Sequence, residues 1–178
     1  MLKLKKLTTK ELCTIAMLIA VTAVLGFISG KLRIGTFSKF SFNFISVYIT
    51  ALLFGPITAG FVGVAGDFIS AIGTGPYLWM IGLVEFVYGV VFGLLFYNRK
   101  EDKKSIFILK ALAATLVIAA VDIFAKSLIL MNVGYTPAPL EAAILMRLPM
   151  IAVMSAVRFV ILVVMGKSVS RVLASFGK

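Results

Sequence analysis

Long apolar runs separated by short polar or glycine-proline breaks set the pattern of this chain from Glu11 to Gly166. Runs of this length with few charges read as membrane-crossing helices. Six are expected, over about residues 11–29, 40–54, 56–72, 77–97, 105–131 and 140–166, forming one domain over 1–178. Thr8-Thr9-Lys10-Glu11 reads as the first helix start, with Thr8 or Thr9 as cap. Gly55-Pro56 ends the second run early, so that span is short or tilted. Gly60, Gly63 and Gly66 in the third allow close helix contact. Gly73–Pro76 is a tight turn, and Tyr77 and Trp79 after it suit a membrane interface. Asn132–Pro139 is a polar loop, Pro149 interrupts the sixth run, and Lys167–Lys178 reads as a basic tail. The expected fold is therefore an all-α integral membrane bundle, with no internal repeat or low-complexity segment.

Composition turns this pattern into a class. The 178 residues are 61% hydrophobic and 14% charged, against about 25% charged in soluble domains. The net charge of +11 would suit nucleic acid, but its placement does not. Lys and Arg cluster at the amino terminus, in Asn98–Lys104 and at the carboxyl end, all on one side of a six-span bundle. That side, with both termini, is expected to be cytoplasmic, and nucleic acid is not an expected partner. The loop after the first span breaks the rule by placing Lys31, Arg33 and Lys39 outside, either as tolerated exceptions or to meet an anionic solute. No cleavable signal peptide is expected, since no small-residue cleavage pattern follows the first run. Cys13 alone allows no intrachain disulfide, and with no histidine no metal site is expected.

Inside the runs, charges are costly and therefore informative. At about 1.5 Å of rise per residue, Asp67 lies about 16 Å above Pro56, Glu85 about 12 Å below Tyr77, and Arg147 about 10 Å below Leu140. With Asp122 and Lys126 they fall in one outer layer. Asp122 and Lys126 are spaced i,i+4 and are expected to pair with each other. Asp67, Glu85 and Arg147 have no such partner, and meet either one another across helices or a solute. Arg158 is expected near the cytoplasmic boundary, snorkelling. Phe40, Phe42 and Phe44 alternate with Ser41 and Asn43, and Tyr77 and Trp79 lie on the other outer turn; together they suggest stacking walls for a flat molecule. The loop Gly30–Lys39 and the turn Gly73–Pro76 are expected to cover that cavity as a lid.

The chain has no phosphate-cradling G-x-x-x-x-G-K-[ST], no G-x-S-x-G and no H-E-x-x-H. A solute-binding membrane subunit driven by another protein fits best, with a small membrane enzyme using Asp67 and Glu85 as acid and base as the alternative. The Ala16–Ala20 pattern, the Phe40–Phe44 run (FSFNF), Phe54-Gly55-Pro56, Gly63-x-x-Gly66-Asp67, Gly75-Pro76-Tyr77 and Val87–Gly93 carry a resemblance. Over essentially its whole length the sequence resembles the substrate-binding S-components of energy-coupling factor (ECF) vitamin transporters, and within that group it looks most like the folate family. The resemblance implies a six-helix, non-enzymatic, cofactor-free subunit of the bacterial cell membrane. It implies a vitamin as ligand, and a membrane T-component and two cytoplasmic ATPases as partners. Pantothenate, riboflavin, thiamine and a queuosine precursor stay open beside folate. Expected substrate-binding residues are Arg33, Lys39, Phe42, Asn43, Asp67, Tyr77, Trp79, Glu85 and Arg147. Ala16, Ala20 and Ala23, at spacings of four and three, form a small-residue stripe that packs within the bundle or, as the resemblance implies, docks the T-component.

Overall fold

A computed structural model describes residues 8–31, 33–34, 38–39, 41–72, 77–97, 104–134 and 140–176. The first helix, α1 (Thr9–Lys31), begins with a reciprocal cap. Thr8 N–H donates to Glu11 Oε2 at 2.7 Å, and Glu11 N–H points back to Thr8 Oγ1 at 3.4 Å. Thr8 is thus the cap, tying down amide groups that the first turn leaves unpaired. Beyond α1, two antiparallel strands of two residues each, β1 (Arg33–Ile34) and β2 (Ser38–Lys39), pair Arg33 with Lys39. The basic loop therefore holds a small hairpin. The turn Gly73–Pro76 lies outside the described residues.

Helices α2 (Phe44–Phe54) and α3 (Pro56–Ile72) meet at Gly55. Its φ of 89° lies in the left-handed region open to glycine, and Pro56 then starts α3, where a missing amide proton costs nothing. With 11 residues, α2 is about 16 Å long, half the apolar thickness of a bilayer. The later helices are α4 (Trp79–Phe96), α5 (Lys104–Asn132) and α6 (Leu140–Phe176). Among the described residues, four helices are long and apolar enough to cross a membrane: α1, α4, α5 and α6. Two boundaries differ from expectation by more than two residues. Ser41–Asn43 precedes α2 rather than opening it, and Phe40 lies outside the described residues. The helix α6 continues through Lys167 to Phe176 with Pro149 inside it, because charges after Gly166 end an apolar run without ending a helix.

The centre is aromatic and tightly packed. Tyr48 meets the rings of Phe92 and Phe96 edge-on at 5.6 and 5.2 Å, a favoured arrangement of aromatic quadrupoles. Val47, Ala51, Ile118 and Leu162 close around them, fully buried. Against α3, α4 packs backbone to backbone: a Cβ on Gly89 would enter the Gly60 and Ala59 backbone, and one on Gly93 would enter Pro56. Outward, Met17, Phe61, Leu94, Leu109, Leu145 and Val164 are exposed. An apolar perimeter of this kind is stable when its solvent is hydrocarbon.

Candidate substrate site

The charged residues of α4, α5 and α6 converge. Glu85 lies on the buried face of α4, and its Oε1 accepts from Lys126 Nζ of α5 at 3.2 Å. The same ammonium lies 3.1 Å from Asp122 Oδ1, one helical turn away. Asp122 Oδ2 is 3.4 Å from Arg158 Nη2 of α6, and Asp122 Oδ1 also accepts from the Tyr88 hydroxyl. Lys126 sits 4.8 Å above the Tyr88 ring, a cation over the ring's negative face. The charges thus form one chain, Glu85–Lys126–Asp122–Arg158, with Tyr88 braced against its middle. Nearer the start of α6, Arg147 Nη1 donates to Ser127 Oγ at 2.9 Å.

Two expectations change. Asp122 and Lys126 do pair, but the pair is open: Lys126 is shared with Glu85, and Asp122 with Arg158. Arg158 does not snorkel to a boundary. It is 3% exposed, because Asp122 supplies a buried counter-charge. Its guanidinium lies 5.4 Å from the Phe44 ring and 5.8 Å from that of Tyr88. Arg158 Nε and Nη1, Ser155 Oγ, Tyr48 Oη and Asn43 Oδ1 are buried without a hydrogen-bond partner among the described residues. Buried polar groups are nearly always paired, so the two unmet donors of Arg158, with Ser155 Oγ one turn away on α6, mark a place where a further partner fits.

A family model for the substrate-specific component of ECF transporters matches residues 10–169. The chain belongs to this family. It is a membrane protein, and members of the family are transporter components. Over 81 residues it is 32% identical to the folate transporter FolT of Clostridium novyi (strain NT). That match takes in 44% of this chain and 47% of the relative, so the chain spans about half the length of the curated relative it matches. Its fold is that of a crystal structure of FolT bound with folic acid, with a TM-score of 0.78, covering 90% of this chain and 95% of the other at 22% identity.

The other expected site residues of this S-component are dispersed. Asp67 is buried on α3, close enough to Tyr77 to act on its phenol electrostatically, and Tyr77 meets the Phe68 ring edge-on at 5.0 Å. Asn43, 2% exposed, lies at the start of α2, with Phe42 half-buried beside it. Arg33 and Lys39 are brought opposite each other by the hairpin. Trp79 departs from the expected stacking wall: it is 63% exposed. It borders an apolar groove of about 350 Å³ between α4 and α5, with Leu83, Ala125 and Ile129. Six residues separate Trp79 from Glu85, which turns the two to different sides of α4. The alanine stripe is also divided, since Ala16 and Ala20 are exposed while Ala23 is buried. Tyr88, Ser127 and Arg158 were not singled out as site residues. Tyr88 carried a readable signal, lying three residues from Glu85 and so on the same helix face.

Proposed function

We propose that this S-component binds folate or a reduced folate and hands it to an importer built with a membrane T-component and two cytoplasmic ATPases. In this reading it lies in a bacterial cell membrane with both termini in the cytoplasm, and it catalyses no reaction itself. The likeness to FolT carries the choice of vitamin. The chemistry of the charged chain supports it. A pterin presents a guanidine-like edge that one carboxylate can accept bidentately, and Glu85 and Asp67 are both buried acids. The glutamate tail carries two carboxylates that want Arg or Lys, and Arg147, Arg33 and Lys39 supply them. The hairpin around Arg33 and Lys39 fits the role of a lid over such a tail.

The full chain, purified in detergent and titrated with folic acid, should bind one molecule per protein, return it chemically unchanged and hydrolyse no ATP alone. Tighter binding of pantothenate, riboflavin, thiamine or a queuosine precursor in the same screen would replace the vitamin. Conversion of the bound compound would replace the transporter reading with an enzymatic one.

A further inference from the structure

The orphaned donors of Arg158 ask for a partner that the ion-pair chain does not provide. A guanidinium has five N–H groups and no acceptor. Here Nη2 reaches Asp122 at 3.4 Å, while Nε and Nη1 are buried and unpaired among the described residues. Neutralising Asp122 does not require Arg158, since Lys126 Nζ is already closer, at 3.1 Å. Counting Glu85 and Asp122 against Lys126, Arg147 and Arg158, the cluster holds two negative and three positive charges, an excess of one positive. Desolvated donors on a charged group are expensive to leave unmet, so a fold that buries them is best explained by a ligand acceptor that meets them.

The position of Arg158 relative to Arg147 says what form that ligand takes. The two are eleven residues apart on α6, which is about three helical turns and about 16 Å of rise, so both project from one side of the helix. Their surroundings differ. Arg158 is 3% exposed and lies beside the Phe44 and Tyr88 rings. Ser155, three residues above it, adds a second unpaired buried polar atom. Arg147 is only partly buried, and its hydrogen bond goes to a neutral hydroxyl, that of Ser127. The deep end therefore offers donors among aromatic rings, suited to the acceptor edge of a flat heterocycle. The shallow end offers a guanidinium with no carboxylate partner among the described residues, suited to a carboxylate.

We propose that Arg158 and Arg147 form the two ends of a substrate slot along α6, with Arg158 donating to a carbonyl or ring-nitrogen edge of a planar ring and Arg147 holding a carboxylate about three turns away. This deepens the folate reading and rests on it. It assigns Arg158 as a substrate-contacting residue that selects for a ring acceptor, and it makes the distance between the two arginines a selector for elongated ligands. Pro149 lies between them, at the Arg147 end.

Two probes titrated into the full chain in detergent test the assignment. Folic acid has the pterin ring at one end and two carboxylates at the other, whereas 6-hydroxymethylpterin has the ring alone. Absence of wild-type binding to both overturns the folate reading and the slot with it. Binding of folic acid but not of the ring alone overturns the deep-end assignment and leaves the folate reading standing. Where wild type binds both, Arg158→Lys should weaken both by about 10- to 100-fold, because it keeps the charge beside Asp122 and removes the forked donors. Arg147→Ala should weaken folic acid by a similar factor and leave 6-hydroxymethylpterin within about threefold of wild type. Wild-type affinity for both probes in Arg158→Lys would make Arg158 a counter-ion only, and equal losses for both probes in Arg147→Ala would remove the two-ended slot. Melting temperatures without ligand separate lost affinity from lost fold. If Arg158→Lys melts early, the charge-balanced double variant Arg158→Gln/Asp122→Asn takes its place, with the same loss expected for both probes and wild-type affinity again overturning the assignment.

Discussion

The two sides of α4 are held by opposite means. Toward α3 it presents glycine, and the helices touch through backbone at Gly60–Gly89 and Pro56–Gly93. Toward α5 and α6 it presents Glu85 and Tyr88, and the contact runs through charge, with Lys126, Asp122 and Arg158 on the far side. Lipid tails are as apolar as the helices, so neither side is assembled by the hydrophobic effect; dispersion at close approach drives one and buried polar pairing the other. The consequences differ. A backbone contact has no side chain to rearrange and admits nothing between its helices. A charged contact can exchange an internal partner for a ligand group of the same sign. The α3–α4 side therefore fits a fixed scaffold, and the α4–α5–α6 side fits a wall that a solute can engage.

The sharpest way to break this contrast is to leave charge without its partner. Lys126→Met takes from Glu85 its buried counter-charge beside Asp122, which keeps Arg158 and the Tyr88 hydroxyl, and removal of one member of a buried pair costs about 3–5 kcal/mol. The variant should unfold at clearly lower temperature in detergent. Adding Glu85→Gln should restore part of the loss, a coupling that two independent sites would not show. A melting temperature unchanged by Lys126→Met would mean that the seam is not held by charge.

The matching test on the other side is steric. Gly89→Val forces a branched side chain into the Gly60 backbone, and overpacking at a contact that cannot relax should cost about 3 kcal/mol, the upper part of the usual range. No second-site change of charge should rescue it. A smaller effect is expected from Tyr88→Phe, which removes the hydroxyl donated to Asp122 and keeps the ring that Lys126 and Arg158 approach. About 1.5 kcal/mol is expected, the lower value for a hydrogen bond to a charged group. A loss as large as that of Lys126→Met would make the hydroxyl, rather than the ion pairs, the centre of the seam.

Much of this contrast is visible in the order of residues, and its limits are physical. Local spacing fixed the α3 glycines as a contact face and Asp122 with Lys126 as neighbours, since i,i+4 geometry is internal to one helix. Helix rise placed Asp67, Glu85, Asp122, Lys126 and Arg147 in one layer, and three of the five, Glu85, Lys126 and Asp122, are joined by ion pairs across α4 and α5. What rise cannot supply is rotation. Trp79 and Glu85 share a helix but not a side, and only packing decides which residue looks inward. Arg158 was misplaced for another reason. Its expected place, about three turns below Arg147, came from rise alone, which does not show that Asp122 of α5 meets it with a buried counter-charge. The family resemblance was legible because its motifs, Gly63-x-x-Gly66-Asp67 and Tyr88-Gly89 among them, combine tight packing positions with buried polar ones.

Trp79 gives the smallest expected effect and the finest division of α4. It is the single tryptophan of the chain, an aromatic at the start of the helix that carries Glu85 and Tyr88, and sequence alone makes it a natural stacking partner for a flat ring. Its 63% exposure and its place on the rim of the apolar groove with Leu83 and Ile129 assign it instead to the bilayer side, where an indole fits the interface between headgroups and tails. Substitutions on such a surface usually change energies by no more than about 0.5 kcal/mol, about a twofold change in affinity. Trp79→Phe should therefore leave the dissociation constant for folic acid within about twofold of wild type. Isothermal titration in detergent avoids the use of tryptophan emission as the readout, which the substitution would abolish. A loss of tenfold or more, with an unchanged melting temperature, would return Trp79 to the substrate site. It would also show that the slot opens toward the α4–α5 groove rather than along α6.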